Sequence, residues 1–357
     1  MNFWSDLPKP FFILAPMEGV TDIVFRHVVA RASAPDIWFS EFTNATGWVH
    51  AGQKAIGGRL IKTDDENPIV AQIWGGEPGD MEQLALHCRE LGYHGIDINM
   101  GCPAKSAIKS GGSALILKPD VAIATIKAAK TAGLPVSVKT RLGYTHIDEW
   151  RDWLTTLLQQ NIVNLTIHLR TKKEMSKVPA HFELIPEIIT LRDEIAPQTL
   201  LTINGDIENR EHGLGLSSKY PGIDGIMIGR GVFHDPFCFR VKEPLVTKLA
   251  EASAVRVSTD AYSIVTRREA VSNDFGGEKA TAAKQQELID LLHYHLDLFD
   301  KWQPQLGRPY ETLKRFFKIY IRDFDGAKEM RDQLMHTKAT NEARRIRREL
   351  KTFATSP

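Results

Sequence analysis

Eight short runs of apolar and β-branched residues recur along the first two thirds of the chain, at 11–17, 37–42, 69–74, 95–99, 136–140, 164–169, 200–204 and 225–228. Most are continuous rather than alternating, as strands buried on both faces should be. Between them lie segments of helical spacing, among them 80–91, 119–132, 148–159 and 182–194. Helix-start chemistry stands where several of these open: Pro119 followed by Asp120, and Asp80 and Asp148 at or near the N-cap. Gly92, Gly133 and Gly222 stand where a helix must stop before the next strand. Eight strand–helix units predict an α/β fold, a (β/α)8 TIM barrel. An open doubly wound sheet is the alternative, but eight units fit closure better.

After Phe239 the strand rhythm ends, and amphipathic spacing at 285–301, 310–323 and 340–352 predicts helices. The expected division is a catalytic barrel over 1–240 and a small helical domain over 241–357, with the weakly patterned stretch 251–283 a loop or insertion. A chain of 357 residues accommodates a barrel of about 250 plus that second unit. The opening stretch has no basic segment leading into a long apolar run, and no segment approaches a membrane span. Cys88, Cys102 and Cys238 are too few and too scattered for a disulfide framework or a CxxC metal site, so a reducing cytoplasm is the expected setting. Charge changes the picture more. From Lys301 onward there are 14 lysines and arginines against 7 acidic residues, while the whole chain carries only +1, so the barrel half is net acidic. A basic tail on an acidic body points to an anionic macromolecular partner, or else to a solvated helical face.

The residues just past the strands are polar at nearly every position: Pro16-Met17-Glu18, Glu41, Gln72, Asn99 with Cys102, Lys139 with Arg141, His168 with Arg170, Asn204 with Asp206, and Gly229 with Arg230. Strand C-termini are where barrels of this kind build active sites, so these residues describe one large polar site. Asn204-Gly205-Asp206 and Gly229-Arg230-Gly231 follow the last two strands, where such barrels commonly bind phosphate. Glycine backbone can approach phosphate oxygens and Arg230 adds a charged donor, although two tight turns would look the same. Lys139 and Gln72 suit the polar edge of a flavin ring, an ammonium near its anionic edge and a carboxamide against donor and acceptor atoms. Gln72 could equally be an ordinary strand-end hydrogen bond. Cys102 sits in Asn99-Met100-Gly101-Cys102-Pro103, a rigid loop that exposes the thiol. With an ordinary pKa near ~8.5 the thiol is mostly protonated and can act as an acid, unless it merely packs, as Cys88 and Cys238 are expected to.

The motifs Leu14-Ala15-Pro16-Met17-Glu18-Gly19-Val20-Thr21-Asp22, Asp97-Ile98-Asn99-Met100-Gly101-Cys102-Pro103, Lys109-Ser110-Gly111-Gly112, Val138-Lys139-Thr140-Arg141, Asn204-Gly205-Asp206-Ile207 and Gly225 through Gly231 together resemble the tRNA-dihydrouridine synthases. The likeness runs in order over nearly the whole chain except 251–283, and the tail resembles that family's helical tRNA-binding domain. It implies FMN held by Pro16, Met17, Glu18, Gln72, Lys139, His168, Asn204, Gly205, Asp206, Gly229 and Arg230, with NADPH as reductant. It gives Cys102 the role of acid at uracil C5 during reduction of the C5=C6 bond, with Asn99, Arg141, Lys105 and Arg170 as substrate contacts and tRNA as the partner. Pro-Met-Glu-Gly and Lys-Ser-Gly-Gly resemble the bacterial subgroup acting on D-loop uridine 16. Leu169 stands where the family usually has glycine, Ile108 replaces a usual polar residue, and 172–181 is less typical. The alternative is an FMN barrel reductase acting on a free pyrimidine or other small molecule, which leaves the basic tail unexplained.

Overall fold

The structure is a computed structural model and describes residues 2–52, 56–241 and 274–353. Nine parallel strands form one sheet: β1 (Phe11–Leu14), β2 (Trp38–Phe39), β3 (Thr43–Asn44), β4 (Ile69–Trp74), β5 (Gly95–Asn99), β6 (Val136–Arg141), β7 (Asn164–His168), β8 (Leu200–Asn204) and β9 (Gly225–Ile228). Their order is β1-β9-β8-β7-β6-β5-β4-β2, with β3 beside β4, and a parallel bridge from Ile13 to Ile37 brings β2 back to β1. Closure leaves a barrel of eight strand positions, as the sequence predicts.

The helices that cover it are α1 (Ile23–Ser33), α2 (Ala45–Ala51), α3 (Pro78–Glu90), α4 (Pro119–Lys130), α5 (Trp150–Leu158), α6 (Ile185–Ile195) and α7 (Arg210–Lys219). Asp22, Asn44 and Asn209 cap α1, α2 and α7 through their side chains. Gly92 and Gly133 take positive φ where α3 and α4 end. Two expected starts move: α3 begins at Pro78, two residues before Asp80, and α5 follows a turn closed by Glu149 rather than Asp148. The Glu149 carboxylate collects the backbone N–H groups of Tyr144 and His146 at 2.6 and 2.9 Å, which an aspartate one residue earlier does not do.

The expected strand 37–42 breaks into β2 and β3. Between them the Ser40 hydroxyl accepts the Gln72 N–H at 3.0 Å, and the fully buried Glu41 carboxylate turns to the Gly19 N–H at 2.6 Å and to Arg308. Inside the barrel one half is apolar, with Trp4, Phe11, Ile13, Ile37, Phe39, Val70 and Met227 in one cluster. The other half carries buried Gln72, Asp97, Ser137, Asn164, Thr166 and Thr202. Runs read as apolar and β-branched, most of them continuous, are therefore polar on the inward face of β5 to β8.

Beyond the barrel lie α8 (Asp274–Leu306), a 3-10 segment Tyr310–Phe316 continued by one turn to Tyr320, α9 (Ala327–His336) and α10 (Thr340–Phe353). Residues 251–273 of the expected loop lie outside the described residues. Residues 274–283 open α8 as helix and not loop: Glu278-Lys279-Ala280 are good helix formers, although Gly276-Gly277 before them are poor ones and no amphipathic stripe marks the stretch. The expected helix 310–323 opens as tight 3-10 structure over Tyr310–Phe316 and is α-helical only over Phe317–Tyr320, with Leu313, Phe316 and Ile319 buried along it. Among the described residues no helix is long and apolar enough to cross a membrane.

Candidate active site

A cavity of about 480 Å³ opens at the C-terminal ends of the strands. It is walled by Pro16 and Met17 after β1, Asn99 and Cys102 after β5, Lys139 and Arg141 on β6, His168 on β7, Asn204, Gly205 and Asp206 after β8, and Gly229 and Arg230 after β9. Twelve residues expected at the site thus meet in one place. Four do not: Gln72, Arg170, Lys105 and Glu18 are absent from the wall.

Gln72 and Arg170 are too deeply buried to touch a ligand in this state, and both act on residues that do line the cavity. Ser137 Oγ donates to Asp97 Oδ1 at 2.6 Å, and Gln72 Nε2 donates to Asp97 Oδ2 at 2.7 Å. Asn99 Nδ2 donates to Gln72 Oε1 at 3.1 Å, while Asn99 Oδ1 accepts the N–H groups of Gly101 and Cys102 at 3.1 and 3.0 Å. Each link fixes which end of the next amide is donor and which acceptor, so a buried carboxylate sets the loop that carries the thiol. Burial pushes the Asp97 carboxyl up to about 6 against its two hydrogen bonds, and pushes the Cys102 thiol above its usual range. Arg170 ion-pairs with Asp206, donates to the Val178 carbonyl at 2.6 Å, and holds an N–H against His168 Nε2 at 3.1 Å.

Lys105 opens an exposed single turn, and Glu18 pairs with Arg59 at the rim of a neighbouring cleft. Leu169 is fully buried, and its N–H donates to the Asn204 carbonyl at 3.0 Å, so the loop closes there without the usual glycine.

The cavity is electropositive and prepared for an anion. Lys139 Nζ makes no hydrogen bond to a described residue, and burial followed by Arg141 holds its ammonium down to about 8. Arg141 gives Nε to the Gly101 carbonyl at 2.9 Å and Nη1 to the carbonyls of Thr171 and Met175 at 3.0 and 2.8 Å. Burial, then Arg141, Lys139, Arg170 and Arg230, hold His168 well below the usual imidazole range, so it is neutral at pH 7. Among the described residues the backbone N–H groups of Gly205, Asp206, Gly229 and Arg230 have no acceptor. A Cβ at Gly229 would meet only Ala15, at 3.4 Å, whereas one at Gly205 (φ +118°) would lie 2.9 Å from the His168 ring. Open backbone donors beside Arg230, which is itself held by Asp206 at 3.0 Å, fit a phosphate, and the lone Lys139 ammonium fits the anionic edge of a flavin.

Glu41, Asp22 and Arg308 are not legible as partners in the sequence. Arg308 reaches Asp22 Oδ2 at 3.2 Å and ion-pairs with Glu41, tying the C-terminal helices to the loops of β1 and β2. Only the unusual placement of a glutamate after an apolar run hints at it.

Fold and cavity together define a (β/α)8-barrel enzyme with a phosphate-ready, cation-lined pocket and one thiol at its wall. The family model for dihydrouridine synthases (Dus) matches residues 13–355. A probable tRNA-dihydrouridine synthase 2 of Bacillus subtilis is 53% identical over 347 residues, 97% of this chain and 95% of that protein. A probable tRNA-dihydrouridine synthase of Staphylococcus epidermidis is likewise 53% identical over 97% of this chain and 95% of its own length. The chain belongs to the dihydrouridine synthase family. Among solved structures, a morphinone reductase in complex with tetrahydroNAD aligns with a TM-score of 0.46 at 12% identity, over 72% of this chain and 91% of that one, a likeness too loose to bear on activity.

Proposed function

We propose that the protein reduces the C5=C6 bond of a particular D-loop uridine in tRNA to 5,6-dihydrouridine, uridine 16 being the expected position, with FMN as cofactor and NADPH as reductant. The observation that carries the proposal is the meeting of one thiol held protonated, one half-buried ammonium without a hydrogen-bond partner among the described residues and a row of free backbone donors in a single cavity. Bound FMN would supply two-electron redox chemistry, which no side chain here can provide.

The protein's part is to bind, orient and move one proton. Gly205, Asp206, Gly229 and Arg230 would hold the phosphate, and Lys139 and neutral His168 the ring's polar edge. Cys102 holds the proton destined for uracil C5, and its raised pKa keeps that proton in place at neutral pH. Asn99 fixes the Cys102 loop, and Arg141 stands at the same wall to receive a uracil carbonyl. A stacked base cannot reach this depth, so the nucleotide must be extruded, at a cost of roughly a few kcal/mol. The helices from Asp274 onward would offset that through phosphate contacts, in the cytoplasm where tRNA is found. The test is to map dihydrouridine by mass spectrometry in tRNA from cells lacking the gene, before and after incubation with the purified protein and NADPH. Loss at one position, restored by the protein, is expected; an unchanged map would move the assignment to reduction of a small pyrimidine.

A further inference from the structure

A second cleft, of about 390 Å³, lies on the other side of Cys102. It shares Cys102 and Phe42 with the first cavity and is otherwise walled by Glu18, Asn44, Ile56, Arg59, Trp74, Ala104, Ser106 and Ala107. Two partly exposed aromatic rings, Phe42 and Trp74, stand in this one small space. Parallel pairing of β3 with β4 sets Asn44 directly beside Trp74. Asn44 uses Oδ1 to cap α2, accepting the Gly47 N–H at 2.5 Å, and its buried Nδ2 has no acceptor among the described residues. Arg59, ion-paired with the half-exposed Glu18, puts a guanidinium at the rim.

We infer that this cleft takes a nucleobase adjacent to the target uridine in the same RNA strand, resting on the tRNA reading above. An aromatic wall, a buried amide donor behind it with no acceptor among the described residues, and a cation at the rim are what a base and its phosphate require. Continuity with the first cavity selects an immediate neighbour. The target must lie at Cys102, and the next base along the strand then falls on the far side of that loop. The first cavity is a poor place for the neighbour, because its walls are cationic and it has the phosphate-ready end. Binding the neighbour there would hold the extruded strand on both sides of the thiol, so that target selection depends on what stands next to the uridine.

The test uses the full-length protein as purified, with Trp74→Leu, which keeps an apolar side chain but removes the ring, and Asn44→Asp, which keeps the α2 cap but exchanges the donor for an acceptor. Each is expected to raise KM for native tRNA about tenfold, the order of one base–aromatic stack or base hydrogen bond, while leaving kcat and the KM for NADPH unchanged. Against tRNA made abasic at the relevant neighbour, the parent should show the same raised KM and the variants no further rise. A rise in the NADPH KM instead would give the cleft to the nicotinamide nucleotide and overturn the inference. So would native KM values for tRNAs abasic on either side of the target. Binding is read separately, as the tryptophan quench by a D-arm oligoribonucleotide that Trp74→Leu removes. Absent turnover with that quench intact and lost on abasic RNA would sink the proposed reaction and leave the cleft assigned; equal quench by intact and abasic RNA would sink the cleft.

Discussion

Cys102 is held by the side chain three residues before it, since Asn99 Oδ1 accepts the N–H of both Gly101 and Cys102. The thiol is thereby fixed at the cavity wall, and burial raises its pKa. Cys102→Ala is therefore expected to keep flavin binding and NADPH-driven flavin reduction but to lose about 10²–10⁴ of kcat on tRNA, the usual weight of a positioned acid. Stopped-flow bleaching followed by single-turnover reduction of tRNA separates the two; unchanged turnover on tRNA would remove the thiol from the reaction. Lys139 gives a pH dependence of definite sign. Burial lowers its ammonium to about 8, so in the ligand-free protein the charge is present below that pH and lost above it. An anionic ligand favours the charged form, so FMN affinity should be level from about pH 7 to 7.5, above the phosphate's own second ionisation, and weaken as pH rises past about 8, approaching tenfold per unit. Titration by fluorescence quenching measures this, and Lys139→Met, whose affinity should be weaker and flat across that range, is the control.

At the scale of elements, the buried pair Glu41–Arg308 joins the loop between β2 and β3 to the segment after α8. Arg308→Gln leaves the fully buried Glu41, and Asp22 beside it, without their cation, which should cost about 3–5 kcal/mol in thermal or denaturant unfolding. Glu41→Gln added to it should recover much of that loss, because the second change removes the stranded charge; additive losses would show that the pair does not link the units. The same pair shows where sequence reading stops. β4 through β9 are legible because each is a short run rich in apolar and β-branched residues bounded by turn chemistry, and their polar ends are legible because barrel topology brings all C-termini to one face. The break at Ser40-Glu41 is not, since its partners are Gln72, Gly19 and Arg308, the last of them 267 residues away in sequence. Gln72 and Arg170 do stand at the expected strand ends, but their burial behind Asn99 and His168 depends on the inward polarity of neighbouring strands, and a single strand's pattern does not reveal that. The 3-10 structure from Tyr310 reads as helix in the sequence because threefold and 3.6-fold spacings coincide over two turns.

For the whole molecule, the charge asymmetry resolves into a place. Arg344, in the basic run that opens α10, is already engaged with Asp297 and Asp300 of α8 at 2.6 and 2.9 Å, so it works between helices rather than toward a partner. Further cations gather around a groove of about 560 Å³ walled by Lys314, Arg315, Lys318, Lys328 and Arg331 with exposed Met335. This groove adjoins the site: Arg315 donates to the Gly19 carbonyl at 3.1 Å, two residues beyond Met17 in the cavity wall, and Arg322 donates to the carbonyl of His234, another wall residue. A strand of RNA lying in the groove would thus run toward the cavity mouth, its phosphates on lysine and its target base within reach of Cys102. Replacing Lys314, Lys318 and Lys328 by Gln should weaken tRNA binding at low salt and flatten the slope of log K against log salt by about one unit for each phosphate that no longer meets a lysine. NADPH oxidation without tRNA should be untouched, because none of the three lines the catalytic cavity. Filter binding of tRNA from about 50 to 300 mM salt decides the matter. A parallel shift with an unchanged slope would mean that these lysines shape the helices without meeting the backbone, and an unchanged curve would return the basic tail to a solvated face.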